Sequence, residues 1–396
     1  MFPASTLIGR RSAFFGTGAI LLAAGLSDQA RAVAAGVFED VRRHGARGDG
    51  VAIDSLAINR AIEAAAKGGG GTVVVPAGRY LCFTLRLRDN IALVLSAGAT
   101  IVAADPDTHG ARYDPPENYM EEQFQDFGIT HVHNSLIRGD GISNVAILGP
   151  GMLHGLGLDR EGPGDRWHAR PGWQSAAALG ISPRELALRD PKERAPVGRA
   201  NKTIGLMHCR NVRLHGFTIL QAGHFGIIAH GCTNMQIEDV VVDTDRDGID
   251  IDACRDVRVV NCTVNAPKDD AIVLKSSYAL GRAVMCEDIL ISGCKTSGYV
   301  MGSLLDGSYR ASDYLSPDKL GPLGRIKLGT ETNGGFRNVR ISDCICTNSR
   351  GILMGIVDGG TLEDVSVSGI ILRDPSRIPT GPNLAPGRAV TPCPSD

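Results

Sequence analysis

The chain has 396 residues, with 41 basic and 43 acidic side chains and a net charge of −2. That balance argues against a dedicated nucleic-acid binder, which carries a basic excess. With 43% hydrophobic and 21% charged residues, wholesale disorder is excluded, and 50 glycines beside only 5% aromatics point to many turns and thin repeating layers.

Residues 1–32 read as an export signal. The pair Arg10-Arg11 precedes an apolar run from Gly16 to Leu26, and Ala30-Arg31-Ala32 fits a small-residue cleavage site. The arginine pair suits the twin-arginine route, so a periplasmic or secreted protein is expected. Past this segment no apolar run reaches the roughly 18 residues that span a bilayer. Neither a membrane nor a nucleic acid is expected as a partner. The glycine-rich stretch 45–50 then leads into a predicted helix from Asp54 to Lys67. Asp54 is its N-cap, Leu56, Ile58 and Ile62 share one side, and the run Gly68–Gly71 stops it. A strand follows at Thr72–Val75. The helix reads as an N-terminal cap, because an open sheet end invites aggregation.

From here a short pattern recurs: Asn or Asp, then alternating apolar residues, then turn formers. It starts at Asn144, Asn211, Asn234, Asp256, Asp288, Asn338 and Asp364. Three successive spacings are 23, 22 and 32 residues, and the gaps of 67 and 50 leave room for an extra coil or long loops. Each unit reads as short half-buried strands. No unit can bury its apolar side alone, so stacking predicts an all-β parallel solenoid with strands about 4.8 Å apart. The cysteines keep the same register. Cys209, Cys232, Cys254 and Cys286 lie two positions before a start, and Cys262, Cys294 and Cys344 six after. No Cys-x-x-Cys pair suggests zinc, and small thiols stacked in the interior are the simpler reading than disulfides.

Two stretches lack repeat character. Residues 105–130 carry prolines and acids, and residues 154–203 carry Trp167 and Trp173. Long loops on a solenoid often wall a groove; each tryptophan reads as a sugar-stacking ring or as an anchor for its own loop. Residues 33–375 make up the solenoid domain. After Arg373 the pattern ends, and six of the 20 prolines fall in residues 375–396. That tail, 376–396, cannot continue a sheet and reads as an altered or truncated C-terminus.

Thirteen residues beyond three successive starts lie His224, Asp247 and Asp269. Equal offsets predict that they stack. Asp270 would then lie level with Gly248, whose missing side chain leaves space, and Asp245 and Asp250 are near in sequence. Such crowding pushes at least one carboxyl pKa upward. A protonated acid beside an ionised base is the pairing that glycoside hydrolysis needs. The competing reading is a set of turn aspartates, since Asp-Gly is itself a turn signal.

The runs Asp245–Asp252, Asp269–Ser276 and Arg325-Ile326-Lys327 resemble glycoside hydrolase family 28, the polygalacturonase family, with this chain a divergent member. Its ordered motifs are Asn-Thr-Asp, Asp-Asp, Gly-His-Gly and Arg-Ile-Lys. Asn134–Ile137 and the glycines at 45–50 also look like the family, over roughly residues 40–373. The resemblance implies a single-stranded right-handed parallel β-helix. It implies Asp269 as general acid, and Asp247 and Asp270 as the residues that hold and deprotonate water. Arg325 and Lys327 would bind a galacturonate carboxylate, which suits a guanidinium and an ammonium. Family members invert configuration and need no metal or cofactor. The substrate would be an acidic, pectin-like polysaccharide or oligosaccharide, and the protein a monomer.

Two motifs depart from the family. Asp245-Arg246-Asp247 keeps only the final Asp, and Thr296-Ser297-Gly298 places Ser297 where the third motif has histidine. His224 reads as a packing or subsite histidine, or as a partial substitute for the lost one. Adjacent rungs place Asp247 and Asp269 about 5 Å apart, a spacing usually tied to retention rather than inversion. Two rival readings stand beside the hydrolase. One is a pectate-lyase-like enzyme whose aspartates hold Ca²⁺. The other is a non-catalytic carbohydrate-binding solenoid. His131 and His133 read as groove lining, with a metal site as the alternative.

Overall fold

The computed structural model describes residues 37–117, 129–160, 198–316 and 321–375. The expected export segment, Trp167, Trp173 and the tail at 376–396 lie outside the described residues. Within them, strands form three all-parallel sheets of ten, ten and eight strands. Strand order in each sheet advances by whole coils, with one strand per coil in each sheet. This is the right-handed parallel β-helix that the repeat predicts.

The first sheet runs from Val37–Asp40 to Leu362–Ser368, and the second from Asp49–Ile53 to Ile371–Arg373. The third runs from Leu85–Arg86 to Ile352–Met354. Inside the third sheet Ile137, Ile204, Ile227, Ile249, Ile272, Ile326 and Ile352 pair in unbroken register. Stacked β-branched side chains fill a pleated interior well. Nine cysteines, including all seven of the predicted ladders, are buried and free.

The Asn and Asp repeat starts have a backbone cause. All seven adopt the left-handed region, with φ between 50° and 60°. Asn and Asp tolerate it better than other non-glycine residues. An eighth position, Asn90 at φ 60°, belongs to the same column. Side-chain amides run along it: Asn144 Nδ2 donates to Asn90 at 2.8 Å, Asn211 to Asn144 at 2.8 Å, and Asn234 to Asn211 at 2.9 Å.

The gaps of 67 and 50 residues are long loops, not extra coils. Arg210 pairs directly with Ser143, and Glu287 with Arg337. The stretch predicted to lack repeat character ends inside a strand, Lys202–Met207 of the third sheet. The helix α1, Ser55–Lys67, caps the first coil with Ile58 and Ile62 buried. Leu56 corrects the expectation: it is 66% exposed, on the solvent side. Asp54 stands at the N-cap without bonding the helix. Its carboxylate instead accepts from the Arg47 and Gly48 backbone N–H groups at 2.7 and 2.9 Å. No helix among the described residues is long and apolar enough to cross a membrane.

Candidate active site

The third sheet brings the predicted carboxylates together. Strand Asp247–Asp252 lies between Phe225–His230 and Ile272–Lys275. Its inner residues, Ile249 and Ile251, fill the core. Asp247, Asp250 and Asp252 are ionisable yet buried. The equal-offset stacking needs correction. Asp247 pairs with Phe225, and the Asp270 N–H donates to the Asp247 carboxylate at 3.1 Å. The coil from Asn234 is one residue shorter before the strand, which shifts the register. His224, Arg246 and Asp269 therefore form the next row. Single ligand atoms of His224, Asp247 and Asp269 still converge to within 4.8 Å of one another.

Gly248 also differs from expectation. It does not open space for Asp270. A Cβ there would meet Val264 Cγ1 at 2.3 Å and Ala271 O at 2.5 Å. Its absence lets the coils close up behind the carboxylates.

Every acid in the cluster has a cation. Asp270 is held by Arg325 Nε at 2.5 Å and Lys327 Nζ at 2.9 Å. Lys275 Nζ reaches Asp250 at 2.7 Å, Asp247 at 3.7 Å and Glu331 at 3.8 Å. Arg246 lies 3.5 Å from Asp269, and Lys268 2.9 Å from Asp245. The side chain of Asp269 is 24% exposed, against 7% for Asp247 and 3% for Asp270. Asp269 is therefore the member of the trio open to a ligand.

These environments split the carboxyl pKa values. Burial, reinforced by the charges of Asp269 and Asp250, pushes Asp247 well above the usual carboxylate range. Burial pushes Asp250 up to about 6, although Lys275 opposes it. Burial acts on Asp270 in the same sense, but Lys327 and Arg325 outweigh it and bring Asp270 down to about 2. The expected upward shift thus falls on Asp247 and Asp250. Asp270 is locked as an anion by the two residues predicted to bind substrate.

Three residues escaped the sequence reading. Arg246, Lys275 and Phe225 sit at the centre of the charge network. Lys275 Nζ also lies 5.5 Å from the Phe225 ring centroid. A lysine three positions after the inward Ile272, and so of opposite parity to it, was the available signal for Lys275, because Asp250 and Asp252 on the neighbouring strand share that parity. His133 is tied to Asp140 at 3.0 Å. His131 is buried, and burial followed by the charge of Lys202 brings it down to about 4. Among the described residues, a divalent cation would find its nearest ligand set in His224, Asp247 and Asp269, where the Arg246 guanidinium now stands.

A family model described as rhamnogalacturonase A/epimerase, pectate lyase-like, matches residues 38–149. A probable polygalacturonase of Vitis vinifera is 24% identical over 83% of this chain, which spans 59% of that relative's length. The chain is similar to the polygalacturonases over most of its length. The exopolygalacturonase of Thermotoga maritima superposes with TM-score 0.57 at 22% identity, covering 86% of this chain and 76% of that one. The family 28 exopolygalacturonase of Yersinia enterocolitica superposes with TM-score 0.58 at 18% identity, covering 88% and 62%. Set against the polygalacturonase motifs, the divergent third one is explained locally. The Ser297 hydroxyl donates to Asn265 Oδ1 at 2.9 Å, and Asn265 Nδ2 to Asp243 at 2.9 Å. Ser297 is tied into the second sheet's own polar ladder.

Proposed function

We propose that the chain is a glycosidase that hydrolyses galacturonosyl linkages in pectin-like polysaccharides or oligosaccharides with inversion. The observation that carries this is the trio Asp247, Asp269 and Asp270 beside Arg325 and Lys327, with the pKa values of Asp247 and Asp270 driven apart. Asp269, the most open of the three, donates a proton to the leaving glycosidic oxygen as its bond to the anomeric carbon breaks. Water held between Asp247 and Asp270 bonds to that carbon and gives its proton to the ionised carboxylate of Asp270. The raised pKa of Asp247 supplies a resident proton within reach of Asp269, as in other crowded carboxylate pairs.

Arg325 and Lys327 give the acidic-substrate preference. Both hold Asp270. A galacturonate carboxylate arriving between them competes for the same donors and leaves Asp270 a stronger base. A lyase is the second reading, favoured by ligand atoms of His224, Asp247 and Asp269 that lie within 4.8 Å of one another. The same proposal takes the chain as an exported monomer without a cofactor, on the strength of Arg10-Arg11 and the apolar run after it; periplasmic fractionation and gel filtration test that part.

The decisive assay incubates residues 33–396 with polygalacturonate and with rhamnogalacturonan, chelator present, following reducing ends, ultraviolet absorbance and the anomeric proton by NMR. New reducing ends with an inverted first anomer and no absorbance gain, lost in Asp269→Asn, are expected. Calcium-dependent absorbance would replace the hydrolase with the lyase. Binding without turnover would leave a carbohydrate-binding solenoid.

A further inference from the structure

The row beneath the carboxylates contains a second connected set of groups. His224 Nδ1 lies 2.7 Å from the Arg160 carbonyl oxygen. A carbonyl can only accept, so Nδ1 carries the proton and donates, and Nε2 keeps its lone pair. Nε2 faces Arg246 Nη2 at 3.4 Å, and the same Nη2 lies 3.5 Å from Asp269 Oδ2. His224 and Arg246 are 1% and 6% exposed. The ring of His224 is further fixed against Phe225, with centroids 4.6 Å apart. A backbone carbonyl therefore sets the tautomer of His224, the tautomer gives a guanidinium its acceptor, and the guanidinium faces the open carboxyl.

We propose that Arg246, oriented by His224, is a positioning residue that fixes and sharpens Asp269 as the proton donor. The proposal rests on the hydrolase reading above. Arg246 Nη2 thus faces His224 and the Asp269 carboxyl at once, while the Asp269 side chain stays 24% exposed toward a ligand. A guanidinium in this place holds the carboxylate left behind after proton transfer. The other charged or titratable groups facing Asp269 are Asp247, Asp250, Asp270 and Arg325, together with His224. Arg325 is engaged with Asp270, and Arg246 reaches Asp269 at 3.5 Å.

The test compares Arg246→Met, Arg246→Lys, His224→Leu and His224→Gln with the unaltered protein, each checked for folding by thermal melting. In Arg246→Met, kcat on polygalacturonate should fall at least tenfold with KM within about twofold. Arg246→Lys, which keeps the cation, should restore part of the loss. His224→Gln, which can still donate to the carbonyl and accept from Arg246, should outperform His224→Leu. A folded Arg246→Met with kcat unchanged, or an Arg246→Lys no better than Arg246→Met, overturns the proposal while leaving the hydrolase reading intact.

A readout independent of turnover covers the other case. Ring-nitrogen NMR of His224 should show a protonated Nδ1 and a bare Nε2, with the Nε2 resonance shifting in Arg246→Met. A crystal structure of that variant should show Asp269 displaced. An unchanged Nε2 resonance with Asp269 in place overturns the proposal even if no pectin is cleaved. Absence of turnover in the unaltered protein alone counts against the hydrolase reading.

Discussion

Two polar columns run along this solenoid, and they obey opposite rules. The Asn and Asp column on the edge of the first sheet recurs in nearly every coil, always in the left-handed backbone region. Its members are exposed or half-buried and bond their counterparts one coil away. The carboxylate cluster on the third sheet occurs once. Its aspartates lie on adjacent coils, buried, bonded to cations from other positions. A repeated polar group answers a repeated need of the backbone. A buried charge that appears once meets no such need and costs desolvation, so its reason is sought in chemistry.

The sharpest way to break this contrast is Asp247→Asn. If the cluster serves catalysis, kcat on polygalacturonate should fall about 10³-fold, and the melting temperature should hold or rise, because a crowded buried acid has been neutralised. Kinetics and calorimetry on the same preparation check both halves. Normal turnover with a collapsed melting temperature would make the aspartate structural, and the two columns would then differ only in burial.

Lys275→Met tests the other half of the cluster. Lys275 faces Asp247, Asp250 and Glu331 at once, and this surrounding negative charge raises its pKa well above the ordinary lysine value despite burial. Removing it leaves three acids without their shared cation. A loss of about 3–5 kcal/mol in denaturant unfolding is expected, with part of it recovered in Lys275→Met combined with Asp250→Asn. A loss below about 1 kcal/mol would mean that water reaches these carboxylates and that the site is less closed than its burial indicates.

What the sequence could reveal follows from the same contrast. The Asn and Asp starts were legible because few residues tolerate φ near +55°, so backbone geometry marks the sequence coil after coil. Asp247, Asp269 and Asp270 were legible as acids at similar offsets, and Arg325 and Lys327 by their motif. In the first coils Thr72–Val75 was legible after the glycine run and is the strand Gly71–Val75, whereas Val37–Asp40 escaped because it begins without that marker. Arg246 and Lys275 escaped because their meaning is a distance across coils. A single-residue shortening between Asn234 and Asp247 moves each of them into its row, and no count along one coil shows it. The partners of Arg325 and Lys327 were hidden for the same reason: spacing gives proximity to Asp270, not the ion pairs formed with it.

The smallest effect is expected in the repeated column, and there the backbone and side-chain contributions can be separated. Asn211 sits mid-column at φ 54°. It donates to Asn144 at 2.8 Å and accepts from Asn234 at 2.9 Å. Asn211→Ala loses both hydrogen bonds and forces a Cβ-bearing residue without a compensating amide into the left-handed region. Asn211→Gly loses the same bonds but adopts that backbone freely. Half-buried amide bonds of this kind contribute about 1 kcal/mol together, and the left-handed backbone costs alanine about 1 kcal/mol more. Unfolding should therefore show Ala destabilised by about 2 kcal/mol and Gly by about half that, with catalysis unchanged in both. If Gly is the worse substitution, the amide chain rather than the dihedral governs the column. Its recurrence would then reflect coil-to-coil bonding, and the Asp members at 256, 288 and 364, which bring no amide donor, would be its weak points.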